Sequence, residues 1–346
     1  MIVRSKAPLR LGLAGGGSDV SPYSDMYGGL ILNATINLYT YCTIEETNDG
    51  LITIDSDDAQ CHESYPLERY LEIDGNASLI KGVYNRVIRD FDIVPRSFKI
   101  TTYNDAPVGS GLGTSSAMVV CILKAFIEWL TSPLGDYEAS RLAYEIERKD
   151  LDLSGGKQDQ YAAAFGGFNF MEFLKNDLVI VNPLKIKRWI IDELEASMVL
   201  YFIGASRSSA AIIDQQKKNT SSGNEKAIEA MHKIKQSAID MKQALLKGDM
   251  KEFSRILGEG WENKKKMADN ITNSMIQEVF DLAISAGAVA GKVSGAGGGG
   301  FVMLMVEPTR KKELINALKK LNGFVMPFHF TEGGAHGWKI YSTNKV

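Results

Sequence analysis

Residues 107–117 read P-V-G-S-G-L-G-T-S-S-A, and the stretch behind them, 117–130, is apolar almost without a break. Glycines at alternate positions (Gly109, Gly111, Gly113) let the backbone turn tightly and come close to a ligand. Pro107, Ser110 and Leu112 fill the positions between and before them. The hydroxyls of Thr114, Ser115 and Ser116 then open a helix whose first N–H groups have no partner within it. Those groups also carry the positive end of the helix dipole, so loop and helix together make a phosphate cradle. The helix is apolar nearly all round, which demands a central, buried place. A ligand at its mouth is therefore rigidly held. No Gly-Lys-Ser/Thr follows, so this is not a Walker A loop, and the spacing does not suit a dinucleotide fold. On local pattern alone, a surface turn ahead of a core helix fits as well.

Two more glycine clusters lie far away in the chain. Residues 1–14 alternate as a strand carrying Arg4, Lys6 and Arg10, and run into G-G-G-S-D. There Gly16, Gly17, Ser18 and Asp19 form either a backbone-lined contact ending in a carboxylate or a tight turn capped by Asp19. Residues 292–301, K-V-S-G-A-G-G-G-G-F, place Gly297 and Gly298 before another strand. Between these clusters, S-G-G-K-Q-D-Q-Y sets Lys157 and Asp159 at a helix start. That pair reads as a cap with a salt bridge, or as a general base with a cation keeping it ionised. Arg207, among hydroxyls at another helix entry, reads as a phosphate contact or as a surface residue beside an N-cap.

Period-two patterning predicts strands at 1–14, 29–47, 51–55, 98–103, 168–173, 178–181, 197–204, 301–306, 323–330 and 337–342. Asn48-Asp49-Gly50 reads as a hairpin turn joining the second and third of these. Helical spacing predicts helices over 76–91, 117–130, 136–149, 225–247, 249–257, 272–286 and 309–321. Residues 217–224 read as a polar loop. The pattern lapses around 183–195, which divides the 346 residues into domains 1–185 and 186–346. The order of elements is α+β, with a mostly antiparallel sheet covered on one face.

Composition narrows the partners. A net charge of −3 with no basic block argues against nucleic acid. No apolar run approaches the length of a membrane span, and the first residues lack a signal peptide's apolar core, so the cytoplasm is expected. Three scattered cysteines and four histidines show neither a disulfide framework nor zinc-ligand spacing.

Three glycine-rich segments in this order resemble the GHMP small-molecule kinases: residues 7–19 (A-P-L-R-L-G-L-A-G-G-G-S-D), 107–117 and 292–301. The resemblance covers essentially the whole chain. It implies a two-domain fold, with an N-terminal domain like domain 2 of a ribosomal small-subunit protein and a C-terminal ferredoxin-like domain. It implies phosphoryl transfer from Mg·ATP to a small alcohol, by a cytoplasmic monomer or homodimer. In that reading 107–117 wraps the ATP phosphates, and Ser115 with Glu147 holds Mg²⁺, Glu145 being the fallback. Asp159 takes or orients the acceptor's proton, and Arg10 keeps Asp159 ionised and stabilises the group in transfer. The third motif, with Gly297 and Gly298, helps close the acceptor pocket.

Gly16 and Gly17 stand where galactokinases carry a Glu-His pair that reads sugar hydroxyls, so this pocket is roomier. The segment 158–168, the triple glycine and the Ser-Arg-Ser-Ser run are most similar to the sugar-1-kinase branch that acts on heptose 7-phosphate. That branch makes the 1,7-bisphosphate on the route to GDP-heptose, and a sugar phosphate would give Lys157 and Arg207 a distal phosphate to bind. The alternatives are a kinase for an unphosphorylated sugar such as L-fucose or galactose, and a non-catalytic ATP and sugar sensor.

Overall fold

The computed structural model describes residues 1–75, 77–206 and 209–340. Two sheets carry the architecture. The first has β1 (Ile2–Ala14), β2 (Gly29–Glu46), β3 (Leu51–Ser56), β4 (Cys61–Pro66), β5 (Phe98–Asn104), β6 (Phe168–Phe173) and β7 (Val179–Pro183). The second has β8 (Met198–Phe202), β9 (Ala288–Val293), β10 (Phe301–Val306) and β11 (Phe324–Met326). A last strand, β12 (His336–Ile340), returns to the first sheet and pairs antiparallel with β1.

β2 is the spine of the first sheet. One edge pairs with β1 along most of its length, and the other meets β6 at 29–34 and β5 at 40–46. The expected hairpin through 48–50 is not formed. β5 inserts between β2 and β3, pairing antiparallel with the former and parallel with the latter. Ile44, Ile100 and Ile54 then line up across three strands, all buried, and adjacent β2 and β3 would leave the apolar β5 without a place. β4, a polar C-H-E-S-Y-P edge strand, gave no period-two apolar signal and was not predicted. The helix Thr114–Leu130 lies across this sheet, buried on nearly every side as its composition requires.

The second sheet runs in the order β11-β8-β10-β9, all antiparallel, with helices between β8 and β9 and between β10 and β11. This is the β-α-β-β-α-β ferredoxin-like arrangement. Both its faces are covered, which explains the unbroken F-V-M-L-M-V of β10. Met303 and Met305 join the core shared with the first sheet, while Val302, Leu304 and Val306 pack with Val279, Leu314 and Leu318 of the outer helices.

The second half is more helical than its patterning suggests. Residues 217–221, read as loop, complete the helix Ser209–Ser221. Thr220 and Ser221 return their hydroxyls to the carbonyls of Gln216 and Lys217 one turn back, so polar side chains do not break it. Asn224 then caps the helix Glu225–Lys247, accepting from the Ala227 N–H at 3.2 Å. Residues 188–197, placed in a patternless boundary, form a helix with Ile190, Ile191 and Leu194 inward. β12 departs from the division at 185, since a strand of the second half belongs to the first sheet. Among the described residues no helix is long and apolar enough to cross a membrane.

Candidate active site

The three glycine segments, scattered in sequence, meet around one cleft of about 370 Å³. Strand pairing brings them together. The Arg10 N–H on β1 donates to the Leu112 carbonyl at 3.0 Å, seating the second segment against the first strand. Ser294 Oγ donates to the Gly111 carbonyl at 2.8 Å, and the Phe301 N–H donates to the Ser110 carbonyl at 2.9 Å, adding the third.

Asp159 occupies the first turn of the helix Gln158–Phe165 and meets Arg10, which is 5 % exposed. Arg10 Nε and Nη2 both approach Asp159 Oδ1, at 2.8 and 2.7 Å, while Nη1 donates to the Gly111 carbonyl at 2.7 Å. The guanidinium thus fixes one carboxylate oxygen and leaves Oδ2 turned toward Gly113. There the chain is left-handed (φ 77°), and an added Cβ would lie 3.2 Å from Asp159 Cγ. Gly113 therefore serves both the turn and the closeness of Asp159 to the helix entry. That helix, Thr114–Leu130, begins with no side-chain cap, so its first N–H groups face the cleft with free donors.

Asp19 is buried, and its carboxylate accepts from the N–H groups of Lys157 (2.8 Å) and Gln158 (3.0 Å), capping Asp159's helix from a remote segment. Gly156 permits this, because a Cβ there would overlap Asp19 Oδ2. Burial pushes the Asp19 carboxyl above its ordinary pKa, against the pull of those donors, and the nearby Asp159 adds to the rise. Gln158 Nε2 also donates to Asp19, and its Oε1, buried on the cleft wall, has no partner among the described residues.

Glu147 lies on a single π-helical turn, Ile146–Asp150, and is 1 % exposed. Ser115 Oγ donates to its Oε1 at 3.3 Å, and Gln160 Nε2 donates to its Oε2. Glu145 is instead taken by Arg86 and Lys149. Glu147 and Ser115 both line the cleft. A carboxylate and a hydroxyl, with substrate phosphates to complete the shell, is the hard-oxygen set that suits Mg²⁺, which needs no all-protein cage.

Several expected positions fall elsewhere. Gly16, Gly17, Gly109 and Thr114 to Ser116 line the cleft, but Ser110 and Leu112 are fully buried beneath it and Pro107 lies outside its wall. Ser18 is buried, donating to the Leu30 carbonyl at 3.0 Å. Gly297 and Gly298 support the loop, bonded to Ser206 and Ile271, while their neighbours Gly295 and Ala296 reach the cleft. Lys157 does not face the cleft. Its ammonium, 2 % exposed, pairs with Asp177 at 2.7 Å and Asp25 at 3.4 Å, and lies over the Tyr144 ring. Arg207 lies outside the described residues.

In their place two unpredicted lysines line the cleft. Lys264 ends the helix Met250–Lys264 and donates to the Gly295 carbonyl. Lys292, on β9, donates to the Gly12 and Leu13 carbonyls at 2.8 and 3.3 Å, the groups released where β1 bulges between Gly12 and Ala14. Sequence signals existed for both. Lys264 continues the apolar stripe of Leu257 and Trp261, and Lys292 immediately precedes the third glycine segment.

A second cavity, about 250 Å³, lies on the far side of the loop and shares Val108, Thr114, Ser115 and Leu153 with the cleft. Leu79, Ile80, Met118 and Leu153 line it, with Asp58 and Asn104 at one end. Among the described residues, Asp58 Oδ2 and Asn104 Oδ1 are buried there without partners.

Comparison with known proteins bears on this arrangement. Residues 78–167 match the GHMP kinases N terminal domain and 241–322 match GHMP kinases C terminal. The D-glycero-alpha-D-manno-heptose 7-phosphate kinase of Campylobacter jejuni is 51% identical over 338 residues, covering 98% of this chain and 99% of that protein. The crystal structure of a D-glycero-D-manno-heptose 1-phosphate kinase from Bacteroides thetaiotaomicron is 72% identical, with a TM-score of 0.86 over 98% of this chain and 100% of that one. The L-fucokinase/L-fucose-1-P guanylyltransferase of Bacteroides fragilis is 25% identical over 88% of this chain but only 35% of its own length.

Proposed function

Because the chain belongs to the GHMP kinase family and is an ATP-dependent sugar kinase, we propose that its acceptor is D-glycero-D-manno-heptose 7-phosphate and that it phosphorylates the anomeric hydroxyl. The names of the two close relatives differ in the carbon that already bears phosphate. The 7-phosphate fits an anomeric kinase, because a 1-phosphate has its anomeric oxygen already esterified. The product is then the 1,7-bisphosphate, a precursor for nucleotide activation of the heptose.

The observation that carries the reading is the placing of Asp159. It is fixed through Oδ1 by Arg10 and lies against the last glycine of a loop whose helix offers free N–H donors. The ATP phosphates lie along 109–116 on those donors, and the base enters the second cavity, where Asn104 and Asp58 offer acceptors to an exocyclic amino group. Ser115 and Glu147 would hold Mg²⁺, which would neutralise charge on the transferring phosphates. Asp159 Oδ2 takes the proton of the anomeric O–H as that oxygen bonds to the γ-phosphorus and the bond from phosphorus to the β-bridging oxygen breaks, leaving ADP. Arg10 holds Asp159 through Oδ1 and adds positive charge beside the group in transfer. Asp19 and the free Gln158 Oε1 are placed to read sugar hydroxyls. With base, arginine and metal-side groups all present, a sensor without turnover has no support here.

The test is ADP release with Mg·ATP against heptose 7-phosphate, heptose 1-phosphate, L-fucose and galactose, with ³¹P NMR to locate the new phosphate. The expected result is turnover with heptose 7-phosphate and a new phosphate on C1. Preference for heptose 1-phosphate or for a free sugar would overturn the acceptor assignment and leave the family in place.

A further inference from the structure

Lys264 and Lys292 are buried cations that the transfer chemistry above does not use. They come from different elements of the second half, a helix end and β9, and converge beside the first glycine turn. They are 5 % and 7 % exposed. Among the described residues neither has a carboxylate within 4.0 Å, whereas the other three buried cations, Arg10, Lys81 and Lys157, each do. An ammonium has three donors. Lys264 uses one on the Gly295 carbonyl, and Lys292 uses two on Gly12 and Leu13. Two desolvated, mutually repelling cations are a costly arrangement unless an anion joins them.

The space for that anion is present. Both lysines line the cleft of about 370 Å³ together with Gly12, Gly16 and Gly17. At Gly16 an added Cβ would meet nothing within 4 Å.

We propose that Lys264 and Lys292 form the seat of the acceptor's own phosphate ester, next to the open backbone of Gly16. This rests on the reading of the acceptor as a sugar phosphate. It gives the site a specificity device: two cations that a neutral sugar leaves unpaired and that a phosphomonoester dianion satisfies. Lys157, expected in this role, is already neutralised elsewhere.

The free protein prepares for this ligand. Burial, helped by Arg10, lowers the pKa of Lys264 to about 8, against the opposing pull of Asp19 and Asp159. Lys292 is pushed well down by burial, then by Lys264 and Arg10. Binding of a dianion raises both, so acceptor binding near pH 8 takes up protons.

The experiment crosses deletion of the side chain with deletion of the ligand's phosphate. Wild type, Lys264→Met and Lys264→Arg are assayed with heptose 7-phosphate and with unphosphorylated heptose, KM for ATP being followed in each. The expected result for Lys264→Met is a rise of about 10- to 100-fold in KM for the phosphate ester. KM for unphosphorylated heptose and for ATP should change by less than about threefold, and Lys264→Arg should recover most of the loss. Calorimetry of heptose 7-phosphate binding, in two buffers of different ionisation enthalpy at pH 8, should show proton uptake in wild type and less in Lys264→Met. A loss shared equally by both sugars, or a fall in kcat or ATP affinity with KM for the ester unchanged, would assign the lysines to the group in transfer and overturn the proposal. Absence of turnover of heptose 7-phosphate by wild type removes the acceptor reading itself, and is seen before any substitution is made.

Discussion

Replacing Lys264 with methionine should make the ligand-free protein more stable while weakening it as an enzyme. A lysine whose pKa is 10.5 in the unfolded chain and about 8 in the fold binds its proton less tightly after folding. At pH 7, below both values, that difference costs the folded state about 3 kcal/mol. Methionine fills nearly the same volume without the charge, and the change forfeits one hydrogen bond to the Gly295 carbonyl, worth about 1 kcal/mol. The net gain is about 2 kcal/mol, or about 3 °C in melting temperature for a chain of this length. The sign of the pH dependence follows. Between about pH 8 and 10.5 the unfolded lysine holds more protons than the folded one, so wild-type stability from this group rises with pH. The advantage of Lys264→Met should therefore shrink as pH climbs from 7 toward 10. Scanning calorimetry of both proteins, ligand-free, over that range measures it. A variant that melts lower than wild type at pH 7, or a difference that does not vary with pH, would refute the claim that an unpaired charge is stored at this position.

Asp159→Asn should cut kcat by at least about 10²-fold, as loss of a positioned proton acceptor does, with ATP affinity by calorimetry within a few-fold of wild type; near-normal kcat would exclude Asp159 as the base. Glu147→Gln should shift the Mg²⁺ activation curve to higher concentration, whereas Glu145→Gln, already held by Arg86, should leave that curve in place and lower only thermal stability. Gly113→Ala should cost about 1–2 kcal/mol for a left-handed alanine, read by urea unfolding, together with a fall in kcat because the new methyl crowds Asp159. Lys157→Ala should lower the melting temperature and leave KM for the acceptor within about threefold, since its charge neighbours are Asp25 and Asp177.

The groups that could be read from the chain were those whose chemistry is written locally. The glycine alternation at 109–113 and the hydroxyls at 114–116 specify a loop and a helix entry wherever the rest of the protein goes. Arg10 and Asp159 stood out because each adjoins such a segment. Lys157 and Asp159 are close in sequence but do not share a direction. Residues two apart on a helix point to nearly opposite sides, so Asp159 faces the cleft and Lys157 faces Asp177. The same geometry separates Glu147 from Glu145. Lys264 opens the run Lys264-Lys265-Lys266, and its place on the stripe of Leu257 and Trp261 is the one local sign that it, unlike its two neighbours, turns inward. Lys292 was hidden because its partners, the carbonyls of a bulge in β1, exist only once the two sheets are docked. The missing strand neighbours had a similar cause. The pairing of β5 between β2 and β3 is settled by long-range burial, which a strong local turn signal at 48–50 does not report.

The return of β12 to the first sheet makes the second half, in topological terms, an insertion between two strands of the first. Two chain crossings, one before β8 and one before β12, tether that inserted body. That body also shares an apolar core with the first sheet through Met303 and Met305. The return of β12 sets an order of assembly. β1, which carries Arg10, keeps an unpaired edge along Ile2–Lys6 until His336–Ile340 arrives. During synthesis from the N-terminus, that edge must wait for almost the whole chain, exposed to other partners in the meantime. The strand that carries Arg10 is among the first made and the last enclosed.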